Sequence, residues 1–141
     1  MAYRFKNGDF FKEKSFFQDV VSLCPDCIIG VDRSGMVIVF NQAAERLIGY
    51  RAEEAIHKLH ITQVYDPSSL AREIKKQIYN PEFGGEGRIE NLEVAVNNKS
   101  GDTVPIRLSA TLLFKDGEEI GSVGFFHDLT PQKNLEAKLK R

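Results

Sequence analysis

The sequence has few cysteines and histidines and no tryptophan. Its 141 residues include two cysteines, three histidines and two methionines. A chain of this length buries roughly two-thirds of the surface that it exposes when unfolded, so one domain can fold without disulfides or a metal. Two cysteines without a secretory signal indicate a reducing, cytosolic compartment.

An excess of one charge and long apolar runs are also missing. There are 19 basic and 20 acidic residues, with a formal net charge of −1. The basic clusters, KK at 75–76 and KLKR at the C-terminus, are too short for a surface that follows phosphates. No apolar run approaches the length that crosses a bilayer. These absences argue against nucleic-acid binding and against membrane contact by this segment.

The first half of the sequence predicts a helix, a hairpin and further short helices. Ser15 and Gln18 fit a capping box, and the apolar residues that follow Ser15 share one helical face. The segment CIIGVDRSGMVIVF predicts a β-hairpin with its turn at DRSG. Asn41 suits the N-cap of a short helix that Gly49 ends. Residues 51–59, RAEEAIHKL, predict another helix.

The second half predicts one longer helix and three strands. The helix SLAREIKKQIY begins at Ser68 or Ser69 and carries Ile74 and Ile78 on its apolar stripe. The segments RIENLEVAVNN, TVPIRLSATLLF and EIGSVGFFHDLT alternate as half-buried strands do, with turns at SGD and KDGE. Pro131 ends the last strand, and an exit helix follows. This order predicts an α+β fold with one antiparallel sheet and helices on one face.

Three motifs in this order resemble the PAS sensor family, over about residues 16–133. The first, CPDCIIGVDRSGMVIVFNQAAERLIGY, is similar to the family's opening strand pair and first helix. The second, RAEEAIHK, is similar to the next segment, although His57 stands where the family usually has glycine. The third, GSVGFFHDLTPQK, resembles the final strand and its exit at Asp128, Leu129 and Thr130.

The resemblance implies a signalling input module rather than an enzyme. Residues 1–23 would flank the domain, 24–130 would form the PAS sensor with a five-stranded sheet, and 131–141 would begin the signalling helix. Asp128 and Thr130 would anchor that helix to the sheet. A conformational change would pass through it to an output domain, often a histidine kinase. No paired carboxylates or Ser/His/Asp arrangement supports catalysis.

Strand alternation predicts a candidate apolar pocket on the face toward the helices. Ser122 is the one polar group on this face. It is placed there, together with its strand neighbours, by analogy with the family's flavin-facing position. The alternative is a filled core, because protein interiors pack closely by default. The candidate pocket residues are Ile74, Ile78, Leu92, Val94, Val96, Ile106, Leu108, Ala110, Ser122, Gly124 and Phe126.

Flavin and haem are disfavoured as cofactors. The blue-light members of the family carry an Asn-Cys-Arg-Phe-type motif, which is absent between residues 50 and 80. The helix that usually supplies a haem ligand has no histidine here, and His57 and His60 precede it. The two remaining possibilities are that the domain binds a small apolar metabolite and that it binds no ligand.

The CPDC stretch raises a redox or metal alternative. Cys24 and Cys27, together with His57 and His60, have the side chains of a Cys2His2 zinc site, and the histidines could alternatively bind haem. However, Cys24 is predicted to end a helix, where the negative end of the helix dipole disfavours a thiolate. The preferred interpretation is a hinge between helix and sheet, with a redox or metal sensor as the alternative.

The outer face of the sheet predicts a homodimer. Its apolar residues need cover, which the N-terminal helix can supply in its own subunit or in a partner. The alternative is a monomer with intramolecular packing. Leu135 and Leu139 on the exit helix suggest a coiled coil. The predicted dimer residues are Phe16, Phe17, Val20, Val21, Val123 and Phe125.

Overall fold

The computed structural model describes residues 10–67, 69–80 and 87–140, without the side chains of residues 10–15 and 17. The helices are α1 (Phe10–Leu23), α2 (Gln42–Ile48), α3 (Ala52–Ala55), a 3₁₀ helix (Ile61–Gln63), α4 (Leu70–Ile78) and α5 (Thr130–Leu139). The strands are β1 (Cys27–Asp32), β2 (Val37–Phe40), β3 (Tyr65–Asp66), β4 (Arg88–Asn97), β5 (Thr103–Lys115) and β6 (Glu118–Asp128). Among these residues, no helix is both long and apolar enough to span a bilayer.

The strands form one antiparallel sheet in the order β2-β1-β6-β5-β4-β3. The predicted α+β class is confirmed, but the predicted count of five strands is wrong. The sixth strand, β3, has two residues, which pair with Val96 and Ala95 of β4. A two-residue strand has no detectable period, so its pairing arises from the tertiary fold alone.

Two helix boundaries differ from the prediction. The helix α1 begins at Phe10, so Ser15 lies inside it and does not cap it. The predicted helix over 51–59 is reduced to α3, because His57 has a φ of 65° and cannot continue a right-handed helix. The start of α4 follows Ser69, whose side chain makes no capping bond, and Ser68 lies outside the described residues.

Asn41 caps α2 as predicted and also joins three other segments. Its Oδ1 accepts from Ala44 N at 3.0 Å and from Ile28 N at 2.9 Å. Its Nδ2 donates to Val21 O at 2.9 Å and to Asp26 O at 3.0 Å. The side chain is buried, so these bonds form away from water. Asn41 thereby ties the last turns of α1 to β1 and α2.

The core lies between the inner face of the sheet and the helices. It includes Ile48 of α2, Ala55 of α3, Ile74 of α4 and Phe126 of β6. A register shift in β4 between Ile89 and Leu92 places both on the inner face. Residues three apart on a regular strand face opposite sides of the sheet. The bulge adds one residue to β4 and so brings both side chains to the same face.

Candidate functional site

A cleft of about 280 Å³ opens between α4, the 3₁₀ helix and the inner face of the sheet. Its apolar floor comes from two sources. The α4 residues Ile74 and Ile78 are one turn apart and face the sheet. The strands contribute Ile29, Ala110 and Phe126. The cleft is therefore an opening at one end of the hydrophobic core.

Small residues on β5 and β6 keep this end of the core open. Ala110 and Gly124 are cross-strand partners, and both line the cleft. A Cβ on Gly124 would lie 2.7 Å from Phe126 Cε1 and 3.2 Å from Leu108 Cδ1. The first distance is too short for a methyl group and the second is tight, so glycine lets the Phe126 ring lie against the β6 backbone.

The β1–β2 turn forms one side of the cleft mouth. Asp32 Oδ1 accepts from Ser34 Oγ at 2.6 Å, Ser34 N at 2.9 Å and Met36 N at 3.1 Å. These bonds favour the carboxylate, and the pKa of Asp32 is lowered, chiefly by the Ser34 hydroxyl. Gly35 has a φ of 92° and completes the turn as predicted. Oδ1 of Asp32 therefore holds the turn.

His60 links this turn to the 3₁₀ helix. Its Nε2 lies 2.6 Å from Ser34 O, and Thr62 N donates to its Nδ1 at 3.3 Å. Because a carbonyl oxygen only accepts, Nε2 carries a proton in this arrangement, and Nδ1 also lies 2.9 Å from the Thr62 hydroxyl. Both ring nitrogens are thus occupied by structural hydrogen bonds. His57, by contrast, is exposed.

The other side of the mouth is closed by a contact between α4 and β6. The Tyr79 hydroxyl lies 2.6 and 2.7 Å from the two carboxylate oxygens of Glu119. Arg33 Nε approaches Glu119 at 3.8 Å. The hydrogen bond to Glu119 and, to a lesser extent, burial raise the pKa of Tyr79. This contact connects the end of α4 to the start of β6 and to the β1–β2 turn.

Tyr65 is a cleft residue that the sequence analysis missed. Its ring stacks on Phe126 with centroids 6.0 Å apart, and the residue is only 6% exposed. Burial raises the pKa of Tyr65, so the hydroxyl stays protonated and can donate. Among the described residues it has no hydrogen-bond partner. The only sequence signal is an aromatic residue before the Asp66–Pro67 breaker.

The cleft contains only some of the predicted pocket residues. Ile74, Ile78, Ala110, Ser122, Gly124 and Phe126 line it. The other five predicted pocket residues do not line this cleft. Val96, Ile106 and Leu108 are fully buried in the core, and Leu92 and Val94 pack against it. These five lie farther along β4 and β5, where neighbouring side chains fill the space.

The cysteines occupy the hinge position that was predicted. Cys24 N donates to Val20 O at 3.1 Å, which closes α1, and Cys27 begins β1. Cys27 is buried, and burial, followed by the negative charge of Asp26, raises the pKa of its thiol. A raised pKa disfavours the reactive thiolate. Among the described residues, no group of three His, Cys, Asp or Glu side chains forms a metal site.

The exit from the sheet is held mainly by Leu129. This residue is 1% exposed, and its N–H donates to Pro105 O at 3.0 Å. Asp128 Oδ1 accepts from Thr130 N at 2.8 Å at the start of α5. The two predicted relay residues therefore shape the turn, and the buried leucine between them fixes it to the sheet.

A row of ionisable side chains crosses the outer face of the sheet near this exit. His127 Nδ1 lies 3.1 Å from Asp26 Oδ1 at the hinge. Its cross-strand partner is Arg107, whose own partner on β4 is Glu93. Glu93 lies 3.9 Å from Lys133 Nζ of α5. This cross-sheet row of Asp26, His127, Arg107, Glu93 and Lys133 runs from the hinge to the exit helix.

The predicted dimer residues lie on two exposed surfaces. On the sheet, Phe125 is 42% exposed and Val123 is half-buried. On α1, Val20 is 51% exposed, Phe16 is also exposed, and Val21 is half-buried. The side chain of Phe17 lies outside the described residues. In this single subunit α1 therefore leaves part of the outer sheet face uncovered.

Comparison with known families gives one match across most of the chain. The PAS fold family matches residues 15–129. Two curated proteins are also similar. The sensor protein FixL of Bradyrhizobium diazoefficiens is 28% identical over 131 residues, which cover 90% of this chain and 25% of FixL. The signal transduction histidine-protein kinase AtoS of Escherichia coli is 27% identical over 125 residues, covering 85% of this chain and 19% of AtoS.

Solved structures are similar in fold. The PAS domain of a protein from Colwellia psychrerythraea superposes with a TM-score of 0.71 at 22% identity. The match covers 87% of this chain and 99% of that domain. At this identity the likeness shows the shared fold. The chain spans a quarter or less of the length of the two curated relatives.

Proposed function

The chain belongs to the PAS family, and from this premise we propose that it is the cytosolic sensory module of a larger signalling protein. In this proposal the cleft binds a small metabolite and α5 transmits the change to an output domain. The cleft at the open end of the core is the observation that carries the proposal. The similarity to FixL and AtoS supports a histidine kinase as the output, since these relatives are a sensor and a signalling kinase.

The size and chemistry of the cleft favour a small ligand. Its volume of about 280 Å³ lies just below the usual range of ligand pockets, which span roughly 300–1,000 Å³. This size favours a small metabolite over flavin or haem. Specific pockets combine apolar walls with a few polar groups. Here Tyr65 supplies a neutral donor that has no hydrogen-bond partner in the described part of the chain, and an acceptor group of a ligand could bond to it.

The proposed signal is a shift between two arrangements of the sheet and α5. A ligand changes that equilibrium only if it binds the two arrangements unequally. The cleft and the exit share the strands β5 and β6, because Ala110 and Gly124 lie on the same two strands as Pro105 and Asp128. A change in the spacing of these strands at the cleft would therefore move the anchor of α5.

The experiment is native mass spectrometry of the freshly purified chain, followed by two variants. Retention of a small molecule is expected in the wild type. Ala110→Leu fills the cleft and should abolish retention. Thr111→Leu, the next residue on β5 and on the opposite face, is the control and should retain the molecule. A bare chain mass from every preparation, with no stabilisation by any compound in a metabolite screen, would overturn the ligand proposal.

We also propose that the chain forms a homodimer through α1 and the outer sheet face. The support is the exposed apolar surface of Phe125, Ile120 and Val20, since soluble monomers rarely leave large apolar patches uncovered. Sedimentation equilibrium should show a dimer that Phe125→Ser weakens. Phe114→Ser, an exposed phenylalanine beside the β5–β6 turn, is the control. A monomer at every concentration would contradict the proposal.

The redox and metal alternative receives less support. The Cys27 thiol is buried with a raised pKa, and both ring nitrogens of His60 are already bonded. An absorbance scan of the purified chain tests it directly. A Soret band would replace the metabolite proposal with a haem sensor. Altered signalling by a Cys27→Ala variant would replace the metabolite proposal with a thiol sensor.

A further inference from the structure

The acidic groups at the cleft mouth are already engaged. Three hydrogen bonds within the β1–β2 turn occupy Asp32 Oδ1. Tyr79 bonds both carboxylate oxygens of Glu119, which Arg33 also approaches. Arg33 offsets the charge of Glu119, which leaves Asp32 as the one uncompensated carboxylate among the residues that line the cleft.

Two cations on α4 line the cleft without such a partner. Arg72 and Lys75 are exposed and three residues apart, so they lie side by side on the helix surface. Within the described part of the chain, neither forms an ion pair. Among the charged side chains that line the cleft, the three cations Arg33, Arg72 and Lys75 outnumber the two carboxylates. The α4 edge of the mouth is thus positively charged.

The apolar floor begins directly below these cations. Ile74 and Ile78 belong to the same helix as Arg72 and Lys75, and Phe126 lies on the facing sheet. The cleft has a volume of about 280 Å³, which suits a small molecule. The cleft therefore combines room for a short aliphatic chain with a positive edge at its opening.

We propose that the cleft selects an amphipathic monocarboxylate. Its short aliphatic chain lies on the apolar floor, and its carboxylate lies between Arg72 and Lys75. A guanidinium binds a carboxylate through two parallel hydrogen bonds. An alkyl ammonium would meet repulsion at the same place. This inference rests on the proposed sensory function and names the ligand class of that site.

The test compares three probes with the same chain length: octanoate, octan-1-ol and octylamine. Each is titrated into the purified chain at low ionic strength, by calorimetry and by thermal shift. Octanoate should bind roughly tenfold more tightly than octanol, as expected for hydrogen bonds between charged groups, and octylamine most weakly. The preference should shrink in high salt, because exposed charges are screened.

Variants separate the charged edge from the apolar floor. Arg72→Gln combined with Lys75→Gln should remove the preference for octanoate and leave octanol binding unchanged. Lys76→Gln, an exposed lysine of the same helix outside the cleft lining, should change neither. Ala110→Leu should weaken both probes. Because Arg72 and Lys75 are exposed, circular dichroism should show both glutamine variants folded.

The outcomes distinguish this inference from the proposed function. Equal binding of octanoate and octanol by the wild type would overturn the carboxylate selection and leave the small-ligand proposal standing. A preference that survives the double glutamine variant would overturn the assignment to Arg72 and Lys75. If none of the three probes binds, the inference fails, while retained ligand in native mass spectrometry still decides the sensory proposal.

Discussion

Replacing Asn41 with alanine tests whether one buried side chain holds α1, β1 and α2 together. Loss of the N-cap costs about 1 kcal/mol. Leaving the buried Ile28 N–H unpaired adds roughly 1–3 kcal/mol. The expected loss is therefore about 2–4 kcal/mol in the free energy of unfolding, the sum of these two effects.

The assay is urea unfolding near neutral pH, with linear extrapolation to water. Gln42→Ala is the matched control, because Gln42 is the exposed neighbour of Asn41 and exposed substitutions usually change stability by less than about 0.5 kcal/mol. A loss for Asn41→Ala no larger than that of the control would refute the reasoning.

A second variant separates the cap from the link to α1. Asn41→Asp keeps the acceptor for Ala44 N and Ile28 N but loses the two bonds donated to Val21 O and Asp26 O. Faster amide exchange at the end of α1, with α2 still protected, is the expected result. Unchanged exchange in α1 would show that the Nδ2 bonds do not hold this helix.

Three further substitutions, one of them with a matched control, test the cleft mouth and the neighbouring strand. Folding lowers the pKa of the Asp32 carboxyl group, so its carboxylate stabilises the fold in full above pH 3.8, the ordinary pKa of this group. This stabilisation is lost as the pH falls through the lower pKa of the folded state. Wild type and Asp32→Asn should therefore differ in urea unfolding at neutral pH and converge in acid; a constant difference would contradict this. The pKa of Tyr79 is raised, so its effect on stability has the opposite pH dependence. The hydrogen bond from its hydroxyl to Glu119 stabilises the fold below about pH 10 and is lost as the pH rises through the pKa of the folded state. Tyr79→Phe should lower stability by roughly 0.5–1.5 kcal/mol near neutral pH and match wild type in strong alkali, as thermal unfolding will show. Gly121→Ala should cost more than about 2 kcal/mol, because its Cβ would overlap a carbonyl oxygen of the facing strand. Gly117→Ala, with open space around it, should cost only roughly 1–2 kcal/mol for its positive φ, and equal losses would contradict the steric argument.

Local sequence patterns predicted most of the fold, because its long elements have a clear period. The turns at DRSG, SGD and KDGE contain glycines with positive φ at 35, 101 and 117, and turn chemistry identifies them without tertiary information. Two features depend on the assembled sheet instead. The strand β3 exists only through its pairing with β4, and the bulge near Asn91 changes which side chains face inward.

The site was harder to predict than the fold. Alternation showed which residues face the helices, but which of them line a cleft depends on where α4 lies over β5 and β6. Alternation therefore grouped Ala110, which lines the cleft, with Leu108, which is filled core. The polar mouth brings together Tyr79 and Glu119, which are 40 residues apart in the chain. Contacts at that separation have no local sequence signal.

The cross-sheet row has a consequence for how such modules can be recombined. Lys133, at one end of the row, belongs to α5 but pairs with Glu93 of β4. A chimera spliced directly after Thr130 would import a foreign helix and discard this contact, whereas a junction after Lys133 would carry it along. The transferable unit is therefore the sheet together with the first turn of the helix that leaves it.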